Sequence, residues 1–159
     1  MQDSGGTPTH NFAPGAPRPS TILRPGIRSL PVGVERHVVD GGQLIVVDIE
    51  AGDLVRVTDL EGCQGCELVA ADGGGRIDAG ILGRKANAAA NGVRAALSAD
   101  IESARVVRRG LERRKIDVAE ARCLRVFSDD SAAGSSADFK VERNGLLIVC
   151  APGEAMRPH

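Results

Sequence analysis

The chain has 159 residues, 42% of them apolar and 2% aromatic, with three Phe and neither Trp nor Tyr. A core must come from Val, Leu, Ile and Ala, and a platform of aromatic faces for stacking bases or sugars is excluded. Its 20 basic and 21 acidic residues balance, so bulk charge points to neither nucleic acid nor an anionic membrane as partner.

No stretch approaches the roughly 20 apolar residues that a membrane helix needs. The start, Met1-Gln2-Asp3-Ser4-Gly5-Gly6, lacks the apolar stretch of an export signal. The expectation is a cytoplasmic protein whose four Cys are reduced thiols.

Residues 1–20, rich in Gly, Pro, Ser and Thr, read as a disordered leader, with order expected to begin near Ile22-Leu23. A single β-rich domain is expected over 21–156, followed by a truncated tail, 157–159. Gln43–Ile49 is rich in β-branched residues and predicts a strand. Glu50–Asp53 reads as a turn, and Leu54–Leu60 alternates like a half-buried strand. Glu67–Ala70 reads as another short strand, closed by Asp72-Gly73-Gly74-Gly75. Three strands so spaced predict an antiparallel meander.

Residues 98–114 place Ile101, Ala104, Val107 and Leu111 at helical spacing, with Arg and Glu between them. A shorter helix within 86–97 is weakened by Gly92. One further helical turn is expected over Asp117–Ala121. The cluster Arg105, Arg108, Arg109, Arg113, Arg114 and Lys115 reads as a solvated helix face. Arg122–Phe127 and Phe139–Arg143 predict two more strands around a polar loop, 128–137. Asn144-Gly145 is a strong hairpin signal. Leu146–Ala151, apolar throughout, predicts a central strand buried on both faces.

The motifs are weaker. Cys63-Gln64-Gly65-Cys66 could supply half of a zinc site, with Cys123 and Cys150 as the other thiols available. Those two lie in apolar strands, where free Cys commonly acts as a small hydrophobe. No metal site is assigned. A thioredoxin-like pair would open a helix, whereas a strand follows here. Of the three His, His10 and His159 lie at the ends, and His37 has no nucleophile near it in sequence. Gly73–Gly75 leads into no helix that could receive a phosphate. Asp129-Asp130-Ser131 lacks the alternating carboxylates of a calcium loop and reads as a capped turn.

The run Asp59-Leu60-Glu61-Gly62-Cys63-Gln64-Gly65-Cys66-Glu67 resembles the D-x-x-G-x-Q-x-x-D signature of the urea-carboxylase-associated family, with Glu67 replacing the final Asp. The preceding segment 49–57 resembles the same family's strand, and the later segments 126–131 and 147–156 resemble a narrower group, the N-terminal regions of bacterial proteins that fuse this family to a folate-binding aminomethyltransferase domain. Trimethylamine N-oxide demethylases fall in that group. The resemblance implies a parent enzyme of one-carbon metabolism. Such an enzyme cleaves a methylated amine or amine oxide at a metal centre, zinc or iron, and passes formaldehyde to tetrahydrofolate. The group's metal module carries a His-Asp pair and spaced Cys, which have no counterpart here, so no ligand carries over.

The expectation is a mainly β (α+β) fold, a barrel or sandwich of about six to eight strands with one or two helices inserted in the middle. The expected function is a non-catalytic structural and assembly module that holds no cofactor itself and packs on downstream catalytic domains or subunits. A homo-oligomer is a further expected assembly. Asp59, Gly62, Gln64 and Glu67 are expected to fix a turn, the alternative being ligand contact. Two other classes stand beside this: a zinc protein using Cys63, Cys66, Cys123 and Cys150, and a small ligand-binding domain.

Overall fold

A computed structural model describes residues 32–153 of the chain. The expected leader, the onset of order at Ile22-Leu23 and the expected tail all lie outside those residues. The chain divides into two compact units, Met1–His37 and Val38–His159, a division not read from the sequence. In the first, the described residues are exposed, and the His37 ring lies 3.3 Å from the Glu35 carboxylate. All the regular elements described below belong to the second.

Seven strands and two α-helices make up the described part of that unit: β1 (Leu44–Ile49), β2 (Leu54–Asp59), β3 (Cys66–Ala71), β4 (Ala88–Ala89), α1 (Asn91–Ser98), α2 (Glu102–Arg113), β5 (Arg122–Val126), β6 (Ser135–Lys140) and β7 (Gly145–Cys150). A short 3-10 helix, Ala79–Leu82, follows β3. One antiparallel sheet runs β1-β7-β3-β5-β4, and β2 pairs with β6 in a separate ribbon. The arrangement is sandwich-like rather than a closed barrel, and the mainly β expectation holds.

The pairing differs from the expected meander. β1, β2 and β3 do not pair with one another. β1 instead runs antiparallel to β7, Leu44 opposite Cys150, and β3 inserts between β7 and β5. The turn at 50–53 carries the chain from one sheet to the other, so local order in sequence is not order in the sheet. Asn144-Gly145 likewise closes no hairpin, because β6 pairs with β2 and β7 with β1 and β3. Asn144 turns its side chain outward, and its Oδ1 accepts a hydrogen bond from Ala51 N–H at 2.8 Å. Gly145 is needed for room, since a Cβ there would lie 2.4 Å from Ala71 O.

The two layers explain the burial. β3 is buried at every position, and β7 at four of six, as expected for central strands covered on both faces. One face, with Val69, Ala71, Cys123, Ile148 and Cys150, packs under Val93 and Leu97 of α1 and Leu111 of α2. The other, with Leu68, Ala70, Leu124 and Leu147, meets Phe139 of the ribbon and Ile81 and Leu82 of the 3-10 helix. Each such aliphatic side chain contributes about 1.5–3 kcal/mol on burial, which lets a core without Trp or Tyr suffice.

Three boundaries move. β6 begins at Ser135, inside the expected loop, because the ribbon pairs Asp59 with Ser135. The helix expected over 98–114 begins only at Glu102, because the backbone at Ala99 is extended and Ile101 becomes an N-cap that is 50% exposed, while the shorter helix expected within 86–97 forms as α1. The Arg108 guanidinium reaches back to Leu97 O and Ala99 O, capping the end of α1. The segment Asp117–Ala121 forms a turn at Ala119-Glu120, not a helical turn. It is held by Ala119 N–H donating to Asp117 Oδ1 at 2.9 Å and Ala121 N–H donating to Val118 O at 3.2 Å.

Candidate functional site

The polar residues between β2 and β3 form the most developed constellation. Asp59 ends β2 buried, 6% exposed, so its carboxylate needs internal donors. It receives Gly62 N–H at 2.8 Å, Gln64 N–H at 3.1 Å and the Ser131 hydroxyl at 2.7 Å. The loop preceding β6 is stitched to the same place by Cys63 N–H to Ser131 O at 2.8 Å and Gly134 N–H to Asp59 O at 2.7 Å. Burial pushes the Asp59 carboxyl up. The Ser131 hydroxyl and the amides of Gln64, Gly62 and Glu61 outweigh that, and its pKa lies below the ordinary value.

Gly62 has φ +85°, and a Cβ there would lie 2.8 Å from Ala133 N. Both the left-handed conformation and the close approach require glycine. Cys63 and Phe127 are also left-handed, at φ +60° and +65°. For a bulky ring such as Phe127 this conformation is costly, and the packing of its side chain against the second core cluster holds it there. Gln64 contributes its backbone N–H, while its residue is exposed.

Glu67 acts elsewhere, three residues along. It is 1% exposed within β3, on the face covered by the helices. Its carboxylate accepts Gly92 N–H at 2.9 and 3.1 Å and Val93 N–H at 3.2 Å. These are the second and third amides of α1, whose N-cap residue, Ala90, has no side chain to offer them. An acid from a distant strand thus serves as the cap, with the helix dipole in its favour. Gly92 makes this fit: a Cβ there would lie 2.6 Å from Glu67 Oε2. In the sequence Gly92 stands only as a defect in a helix, and nothing local marks it as the seat of this cap. Its single outward sign was an acid in an otherwise apolar β3.

The four Cys do not share a face. Strand alternation places Cys66 in the second core cluster and Cys123 and Cys150 in the first, while Cys63 is exposed in the loop. Among the described residues no group of three or more His, Cys, Asp or Glu is placed to hold a metal ion. Burial pushes the thiols up, to about 12 for Cys66 and Cys150 and about 11 for Cys123, the nearby Glu67 charge adding to burial in each case. Such thiols are poor nucleophiles and poor metal ligands at neutral pH. No helix among the described residues is long and apolar enough to cross a membrane.

A cleft separate from these residues, open to solvent and of about 1110 Å³, lies between the segments 75–86 and 115–122. Asp78, on its wall, caps Gly80 N–H at 2.8 Å and also pairs with Arg143. The ligand-contact alternative would want Asp59, Gln64 and Glu67 around a pocket, and none of the three lines this cleft.

The chain is 41% identical over 143 residues to the trimethylamine-oxide aldolase of Ruegeria pomeroyi (strain ATCC 700808 / DSM 15171 / DSS-3). The match covers 90% of this chain but 18% of that protein, so the chain corresponds to a segment of a much longer polypeptide. The resemblance to a trimethylamine N-oxide demethylase-like region therefore stands. No protein-family profile matches the chain. No solved structure matches it.

Proposed function

We propose that this chain is a non-catalytic structural and assembly module of a larger enzyme that demethylates an amine oxide. The observation that carries this reading is the 41% identity across 90% of the chain to a trimethylamine-oxide aldolase. Supporting it is the inward use of the polar residues. Asp59 binds loop amides and a loop hydroxyl, and Glu67 binds helix amides. Neither leaves a reactive group facing a cleft.

The reaction assigned to the whole enzyme balances without an external oxidant. The N–O bond breaks and the oxygen ends on the departing methyl carbon as formaldehyde, while one methyl hydrogen ends on the nitrogen, which keeps its other substituents as a secondary amine. Metal chemistry, with zinc or iron, and transfer of formaldehyde to tetrahydrofolate belong in this reading to other domains, all in the cytoplasm. This chain contributes a rigid body on which those domains pack, within one polypeptide or as a homo-oligomer.

The test is to produce the long enzyme with and without this module and to measure formaldehyde and dimethylamine released from trimethylamine N-oxide. The module alone is expected to release none, while its removal is expected to lower the thermal midpoint or the yield of the remainder. Turnover by the module alone overturns the reading. So does an Asp59→Asn or Glu67→Gln enzyme that keeps its thermal midpoint but raises KM, which would make these residues substrate contacts.

A further inference from the structure

We infer that the cleft between residues 75–86 and 115–122 is a docking site for an acidic segment of a partner polypeptide. This rests on the assembly reading above and names the surface. Arg84 and Lys85 come from one flanking segment, and Lys115 and Arg122 from the other, all exposed. The side chains of Lys85, Lys115 and Arg122 make no hydrogen bond or ion pair among the described residues, and Arg84 only overlies the Phe139 ring, 5.5 Å from its centre. Elsewhere in the unit, Arg56, Arg105, Arg114 and Arg143 each have a carboxylate partner and Arg94 and Arg108 are spent on carbonyls, while Arg109 and Arg113 on α2 are exposed and make no ion pair among the described residues.

The acids of the cleft do not cancel these cations. Asp78 is already paired with Arg143, which leaves Asp117 and Glu120 against four positive groups. Asp117 also commits one oxygen to Ala119 N–H, at 2.9 Å. The surplus within the cleft is positive in a chain whose net charge is −1.

The shape selects the class of ligand. A small-molecule site is enclosed, largely apolar, and has a few convergent polar groups. This cleft is open, its cations come from both flanking segments, and small residues (Gly75, Ala79, Gly80, Gly83 and Ala86) make up much of its lining. An extended chain carrying Asp or Glu can lie along such a cleft with carboxylates reaching both segments, an arrangement in which charge sets partner choice and encounter rate.

A fluorescein-labelled peptide of alternating Asp, Glu and Ala tests this by anisotropy, with the chain as it stands. Binding is expected at 20 mM salt and is expected to weaken as salt screens it. Lys85→Ala with Arg122→Ala should weaken it about tenfold, the scale of two exposed pairs lost. Lys85→Ala with Lys115→Ala reads the same cleft without touching β5. Arg109→Ala with Arg113→Ala, exposed on α2 and outside the cleft, should leave binding unchanged. Absence of binding at low salt, or equal losses in the cleft and α2 variants, overturns the inference. Competition by citrate as strong as by unlabelled peptide at equal ionic strength also overturns it, by making a small polyanion the occupant. None of these readouts depends on demethylation, so their failure leaves the module assignment to its own test.

Discussion

Replacing Glu67 tests whether a buried acid on β3 holds the helical layer in place. In Glu67→Ala the amides of half-buried Gly92 and buried Val93 lose their acceptor beneath Pro152 and the sheet. A hydrogen bond to a charged group contributes about 1.5–3 kcal/mol, and a stranded buried donor costs a similar amount. Two donors sharing one carboxylate are not independent, so the expected loss is about 3–4 kcal/mol, against a total of roughly 5–15 kcal/mol for a domain. Glu67→Gln keeps one oxygen for these amides but removes the charge facing the helix dipole. It is expected to lose about 1–2 kcal/mol. The assay is urea unfolding followed by far-UV circular dichroism, since the chain has neither Trp nor Tyr to report by fluorescence. Amide exchange adds the local view: Gly92 and Val93 should lose protection in Glu67→Ala before the β3–β7 pairing does. A loss below about 1 kcal/mol at unchanged m-value, or unaltered exchange at those two amides, would refute the capping argument.

Other expectations follow from the same geometry. Gly92→Ala should destabilise although alanine favours helix by about 1 kcal/mol, because its Cβ meets Glu67 Oε2 and Pro152; a rise in thermal midpoint would contradict this. The Asp59 carboxyl is depressed on folding, so its contribution is present above about pH 4 and is lost as pH falls through the folded value. Asp59→Asn should therefore lower stability at pH 7 and converge on the parent in acid, a gap that urea titrations at several pH values can follow. With Ellman's reagent at pH 8, the folded protein should show one fast thiol, Cys63, and three that react only on unfolding. For those three the raised thiol values give stability that is complete below about pH 9 and declines as pH climbs toward 11–12. Lys115, left-handed at φ +60°, sits at the position after the α2 C-cap where glycine is favoured. Lys115→Gly should stabilise by about 0.5–1 kcal/mol, measurable as a raised urea midpoint.

What the sequence made legible was whatever depends on local period. β3 and β7 announced themselves by apolar content, and the alternation of Val55 and Val57 located the inner face of the ribbon. Partner choice between strands was not legible. The turn at 50–53 looks like any hairpin turn, yet its strands diverge into different sheets because Val47 and Ile49 of β1 and Val55 and Val57 of β2 all face one shared cluster from two sides. Asn144-Gly145 misled for a related reason: its local preference is real, but long-range pairing of β6 with β2 overrides it. At the candidate site, Asp59 and Gly62 could be recognised as turn residues from spacing alone. The Ser131 hydroxyl and the Gly92–Glu67 contact join residues 72 and 25 positions apart, which no spacing rule reaches.

The placement of β7 has a consequence for biosynthesis. The last described strand lies inside the large sheet, between β1 and β3. Until Cys150 has left the ribosome, β1 has nothing to pair with, and the apolar run from Leu44 to Val47 waits exposed. Folding of this unit must therefore be late and non-local, and so slow. During synthesis of a longer polypeptide, the nascent chain would be a client for chaperones over about a hundred codons before its sheet could close.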